Sequence, residues 1–162
     1  MAKRWQAALL NQLKIWPTET KKVVLLALYL MLAVSASIIG RITRDSLFLS
    51  SFGSNQLVYM YMTVAVAVSV PSYLYGYVAD RFRRDHIIFV TLLFFAVSFV
   101  ILRILLENPS GWMYVFLYNW TEIVGAFMMI QFWTFSGDLS SSREGKRLFP
   151  IIGGGGVVAN IV

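Results

Sequence analysis

Four ionisable side chains stand among apolar neighbours in this 162-residue chain. Arg41, Arg44 and Asp45 follow the uncharged stretch Val23 to Ile39, and the sequence then returns to Leu47, Phe48, Leu49 and Phe52. On a continuous helix, spacings of three and four put all three on one face, so two guanidinium groups and one carboxylate would stand together. A planar guanidinium fork binds phosphate oxygens bidentately, which makes such a face a candidate anion site. The alternative is a helix end whose arginines snorkel, with Arg41 paired internally to Asp45. Glu122 lies near the middle of another apolar stretch, Trp112 to Phe135, with Tyr118, Asn119 and Gly125 at helical spacing, a partly polar and open face. It could contact substrate, carry a proton or gate a passage; alternatively it forms a buried pair with Arg103 or with an arginine of the first helix. Ionisable groups inside a bilayer cost about 2.5–3.5 kcal/mol on insertion scales, so they face a cavity or a partner.

The elements that position these residues are set by composition. Hydrophobic residues make up 58% of the chain and charged ones 14%, against about 45–50% and about 25% in soluble domains, so water is not the main solvent. Val23 to Ile39, Leu57 to Val78, Ile87 to Leu106 with one charge, and Trp112 to Phe135 with one charge each approach the about 20 apolar residues a span requires. Runs this long and evenly apolar predict α-helices, because hydrocarbon offers the backbone no hydrogen-bond partner and barrel strands would alternate. A first helix reaching Phe52 would be about 45 Å long at 1.5 Å per residue, enough to hold the charged cluster within it. The spans are expected at about 23–49, 57–79, 87–106 and 112–135, with a fifth apolar segment at 148–162. Disorder, collagen and a secreted disulfide scaffold are excluded by this composition, the last also by the absence of cysteine.

The net charge of +6 is distributed along the membrane pattern and not gathered on one face, which argues against a nucleic-acid partner. Lys3, Arg4, Lys14, Lys21 and Lys22 precede the first span, Arg81, Arg83 and Arg84 follow the second, and Arg143, Lys146 and Arg147 follow the fourth. The loops at Ser50 to Asn55 and Glu107 to Gly111 contain no lysine or arginine. This positive-inside pattern places the N-terminus and the loops at Asp80 to His86 and Ser136 to Arg147 in the cytoplasm. Trp5, Leu9, Leu13 and Trp16 share a helical face opposite Lys3, Arg4 and Lys14, which predicts an interfacial helix within a cytoplasmic segment 1–21, ended by Pro17. A signal peptide with its apolar core at Val23 to Val34 is the rival, weakened by a long leading region. The segment Leu148 to Val162, with a helix expected from Pro150, is too short to reach the far face, so residues 22–162 are expected to be part of a larger bundle.

Other motifs carry less. Asn119-Trp120-Thr121 is a chance sequon inside a span, and His86 has no second histidine or cysteine to support a metal site. Gly153 to Gly156 lacks the Lys-Ser/Thr ending of a phosphate loop and is expected to serve close helix packing. No nucleophile, base and orienting residue occur together, so neither an enzyme nor a bound cofactor is expected.

The loop Gly76-Tyr77-Val78-Ala79-Asp80-Arg81-Phe82-Arg83-Arg84 resembles the loop signature of the major facilitator superfamily. Gly76, Asp80, Arg81, Phe82 and Arg84 match; Arg83 replaces a glycine, and Asp85 replaces a basic residue. That resemblance implies a gating role for Gly76, Asp80, Arg81 and Arg84, with charge pairs latching the cytoplasmic side. A second resemblance rests on Arg41-x-x-Arg44-Asp45-x-Leu47, Gly53-Ser54, Glu122, Gln131-Phe132-Trp133 and Glu144 to Pro150 with the glycine run. These are similar to the bacterial and plastid type ATP/ADP translocases, with Arg44-Asp45 where that family tends to carry Lys-Asp. It implies roles for Arg44 and Glu122 in substrate binding or translocation, and a bacterial inner-membrane location.

The expected fold is thus all-α and polytopic, the N-terminal part of a facilitator-type transmembrane bundle. The expected function is nucleotide exchange by alternating access. A nucleotide or other anionic solute would bind near the bilayer midplane against Arg41 and Arg44, with Asp45 and Glu122 at the site. The expected partners are the lipid bilayer and the missing C-terminal half. The rivals are a facilitator-type carrier of another solute and a nontransporting membrane anchor or sensor.

Overall fold

A computed structural model describes residues 19–79, 84–108 and 110–161. Among the described residues five α-helices follow one another: α1 (Thr20–Phe52), α2 (Leu57–Ala79), α3 (Arg84–Leu105), α4 (Gly111–Asp138) and α5 (Ser142–Ala159). A single 3-10 turn, Ser54–Gln56, precedes α2, and no strand occurs among the described residues. Four of these helices, α1 to α4, are long and apolar enough to cross a membrane. Large apolar side chains along them lie uncovered, Val66 at 67% and Phe89 at 68% exposure among them. In water such surface would drive aggregation; against acyl chains it is matched. The chain is therefore all-helical and compatible with a multi-pass integral membrane protein.

The first helix runs without a break through Arg41, Arg44 and Asp45 to Phe52 and contains 33 residues. It stops at Gly53, whose φ of 76° lies in the left-handed region that glycine enters without steric cost. The interfacial helix expected before Pro17 falls outside the described residues.

Two compact units divide the chain, residues 1–36 with 132–162, and residues 37–131. In the first, Val23, Leu26, Leu30 and Ala33 are buried at spacings of three and four along α1. On α5 the buried positions are Gly145, Leu148, Ile152, Gly156 and Ala159, again one helical stripe. The two helices meet closely at Gly155, where an added Cβ would fall 2.5 Å from the Ala27 carbonyl oxygen. Gly156 lies against Leu30 and Val34, whereas Gly153 and Gly154 have open space around them. Close packing thus uses two of the four glycines.

The start of α5 differs from the expectation at Pro150. The helix begins at Ser142, and Pro150 lies inside it. A capping box explains the earlier start: the Ser141 hydroxyl accepts from the Glu144 N–H, and the Glu144 carboxylate accepts from the Ser141 N–H. Lys22 donates to Glu144 at 3.3 Å and to the Leu139 carbonyl. Arg147 reaches both oxygens of Glu19, at 2.6 and 2.7 Å. Positive residues that read from sequence as a topology signal thereby also tie the starts of α1 and α5 together.

The second unit is built on aromatic packing between α1, α2 and α4. Phe48, Met60 and Tyr118 form its core, with Phe52, Leu57, Val64, Tyr114 and Val115 packed around them. Elsewhere in it Phe127 meets Tyr75 and Phe95 edge-on. Polar groups in the apolar helices find partners: Trp120 Nε1 donates to Ser98 Oγ at 2.8 Å, and Gln131 Nε2 to Thr91 Oγ1 at 2.6 Å. Small residues let α1 and α4 approach, Gly40 facing Thr121 and Gly125 facing Ser37.

Candidate functional site: an ion-paired cluster between α1 and α4

The second half of α1 presents Arg41, Arg44 and Asp45 on one face, and α4 presents Glu122 to them. Oε1 of Glu122 is shared by both arginines, 2.6 Å from Arg44 Nη2 and 3.2 Å from Arg41 Nε. Its second oxygen accepts from Arg41 Nη2 at 3.5 Å. Asp45 Oδ1 lies 3.2 Å from Arg44 Nε, a contact of charge without hydrogen-bond alignment. The four residues carry two positive and two negative charges and balance. The internal Arg41–Asp45 pair that sequence allowed is not the one formed, because α4 brings a second carboxylate that takes Arg41 and leaves Asp45 to Arg44. Of the two partners considered for Glu122, the helix-one arginines hold it and Arg103 does not.

The two arginines occupy different environments. The Arg44 side chain is 6% exposed and that of Arg41 57%, with Glu122 at 17% and Asp45 at 45%. Arg44 Nη1 donates to the Tyr118 carbonyl at 3.0 Å, and its guanidinium carbon sits 4.0 Å above the Tyr118 ring. Both terminal nitrogens of Arg44 are thus engaged, Nε faces Asp45 without a hydrogen bond, and the aromatic face adds a cation–π contact. Among the described residues, Arg41 pairs with Glu122 alone. An incoming anion could reach the Arg41 guanidinium while Arg44 keeps α1 and α4 joined.

Tyr118, expected from the sequence on a partly polar and open face, is instead 1% exposed and belongs to the core. The signal was present in the spacing: Tyr118 and Glu122 are four apart on α4, as Arg44 and Phe48 are on α1, so two one-turn pairs can interlock. The cluster lies toward the end of α1, about 12 Å from Phe52 at 1.5 Å per residue, and not at the helix centre.

The gating residues are less fully placed. Gly76 lies within α2 with open space beside its α-carbon, and Arg84 is the first residue of α3. Asp80 and Arg81 fall outside the described residues.

Compared with known protein families, curated proteins and solved structures, the chain matches none.

Proposed function

We propose that the chain forms part of a multi-pass carrier that moves an anionic, phosphate-bearing solute by alternating access, with ATP/ADP exchange as the specific reaction. The balanced cluster is the observation that supports this reading. Arg41 is exposed and held by one carboxylate, so a phosphate oxygen can replace Glu122 as its partner while the burial and the other contacts of Arg44 persist. When the solute takes Arg41, Glu122 keeps Arg44 as its own partner, 2.6 Å away, so neither guanidinium is left without an anion. Transport follows only if the solute binds the two conformations with different free energy, and the Glu122 carboxylate supplies a competing partner in one of them. In this reading the N-terminus faces the cytoplasm of a bacterial inner membrane, and Gly76, Asp80, Arg81 and Arg84 gate the inner side. Four apolar helices and a positive-inside charge pattern support a membrane setting.

The test is uptake of labelled ADP by vesicles that contain the complete protein and are loaded with unlabelled ATP. Exchange above empty vesicles is expected, with loss of at least about 90% in Arg41→Ala, about one decade or 1.4 kcal/mol of binding. Equal ADP uptake by empty and protein-containing vesicles removes nucleotide exchange. Uptake of a sugar or another organic anion in the same vesicles would then identify the facilitator-type carrier of a different solute.

A further inference from the structure

A second guanidinium, outside the ion-paired cluster, lines a cavity that the transport reading leaves unused. The cavity, about 240 Å³, lies in the second unit between α1, α3 and α4. Phe99, Leu102, Leu106 and Leu117 give it an apolar wall, and Arg44 and Arg103 are its charged lining residues. No carboxylate lines it. Arg44 is held by the Tyr118 carbonyl and lies against the carboxylates of Glu122 and Asp45, so its charge is already balanced. Arg103 is different. It stands in the last turn of α3, is exposed, and makes no ion pair with any described residue, Glu107 one turn further on included.

We propose that this cavity is a binding site for an anionic phospholipid, whose phosphodiester pairs with Arg103 and whose acyl chain enters between α3, α4 and α1. Three features support that choice of occupant. An uncompensated guanidinium in an apolar helix demands an anion, the wall beside it demands hydrocarbon, and one phospholipid provides both on a single molecule. Position agrees: Arg103 lies two residues before the end of α3, so on a span of that length it stands near the headgroup level, where such side chains meet lipid phosphates. The site does not depend on the protein being a carrier, since neither Arg41 nor Glu122 lines it.

Native mass spectrometry of the detergent-purified protein, titrated separately with phosphatidylglycerol, phosphatidylcholine and oleate, tests the assignment. One phosphatidylglycerol is expected to be retained about tenfold more tightly than phosphatidylcholine, as a charge-assisted pair to a net anionic lipid requires. Arg103→Gln should reduce phosphatidylglycerol to the level of phosphatidylcholine, and Leu106→Trp, which fills the cavity, should weaken both. Equal retention of the two lipids by the wild type overturns the proposal. So does unchanged phosphatidylglycerol binding by Arg103→Gln, or tighter retention of oleate than of phosphatidylglycerol, which would assign the cavity to a free carboxylate. Should Arg103→Gln not survive purification, the wild-type comparison decides alone. ADP exchange measured on Arg103→Gln separates this site from the cluster, because its loss of lipid is expected to leave the labelled nucleotide bound at Arg41.

Discussion

Arg41 and Arg44 are one turn apart and share a carboxylate oxygen, yet their removal should have opposite consequences. Replacing Arg44 by alanine leaves the largely buried Glu122 to the exposed Arg41 alone, deletes the cation–π contact with Tyr118 and leaves an acceptor empty, and breaking a buried pair from one side costs about 3–5 kcal/mol. Thermal unfolding in detergent should register that loss as a large fall in midpoint. Arg41→Ala removes an exposed partner, and pairs of that kind contribute under about 1 kcal/mol. Its midpoint should stay close to wild type while anion exchange falls. If the two variants lose equal stability, Arg44 does not hold α1 to α4 as its contacts indicate. The residue types were legible in sequence, since charges in apolar runs announce themselves through their solvation cost. Which of the two would be buried was not, because that depends on where the Tyr118 ring and carbonyl lie.

Helix contacts set the next scale. Gly155 and Gly153 differ only in what lies beside them, so they form a matched test of packing. Gly155→Ala would press a methyl group against the Ala27 carbonyl, and overpacking of this type costs about 1–3 kcal/mol. Gly153→Ala meets open space and replaces a poor helix former, a change worth about 0.5–1 kcal/mol in the opposite direction. Unfolding midpoints of the two variants should therefore move apart; a common shift would show that α5 does not lie on α1 through Gly155. The cap of α5 makes a separate prediction. The Ser141 N–H, followed by Lys22, holds the Glu144 carboxyl below its ordinary value of 4.5. A carboxylate lowered on folding stabilises the folded form at every pH above the ordinary value and loses that contribution as pH falls through the lowered one. Hydrogen exchange of the amides at 143–145 should accordingly quicken, relative to amides in the middle of α4, when pH is taken from 7 to below 4. Glu144→Gln should remove most of this difference. The cap is legible as Ser141-x-x-Glu144, but a proline nine residues on, a residue type favoured in the first turn of a helix, competes with it as a start signal.

For the whole molecule, the absence of cysteine makes single introduced thiols clean reporters of topology. Asn55→Cys, in the segment before α2, should react with a membrane-impermeant maleimide on intact cells. Arg143→Cys should react only after permeabilisation, and Val66→Cys, exposed in the middle of α2, should resist the reagent in both. Labelling of Arg143→Cys on intact cells would reverse the orientation that the positive charges imply. Loss of Lys22 or Arg147 bears on the same question, because these side chains are held in ion pairs and contribute to packing as well as to charge bias.

Helix number, approximate extent and apolar character follow from the amino-acid order alone, since a bilayer requires about 20 apolar residues with every backbone group satisfied within the segment. The facing of Arg41, Arg44 and Asp45 on one turn follows too, because helical geometry is local. Partner choice does not. That Glu122 takes both arginines, that Asp45 keeps Arg44, that Tyr118 lies beneath the guanidinium, and that Arg103 is left with hydrocarbon walls are matters of which helix stands beside which. Those distances are set by packing between residues far apart in the chain, and only the tertiary structure decides them.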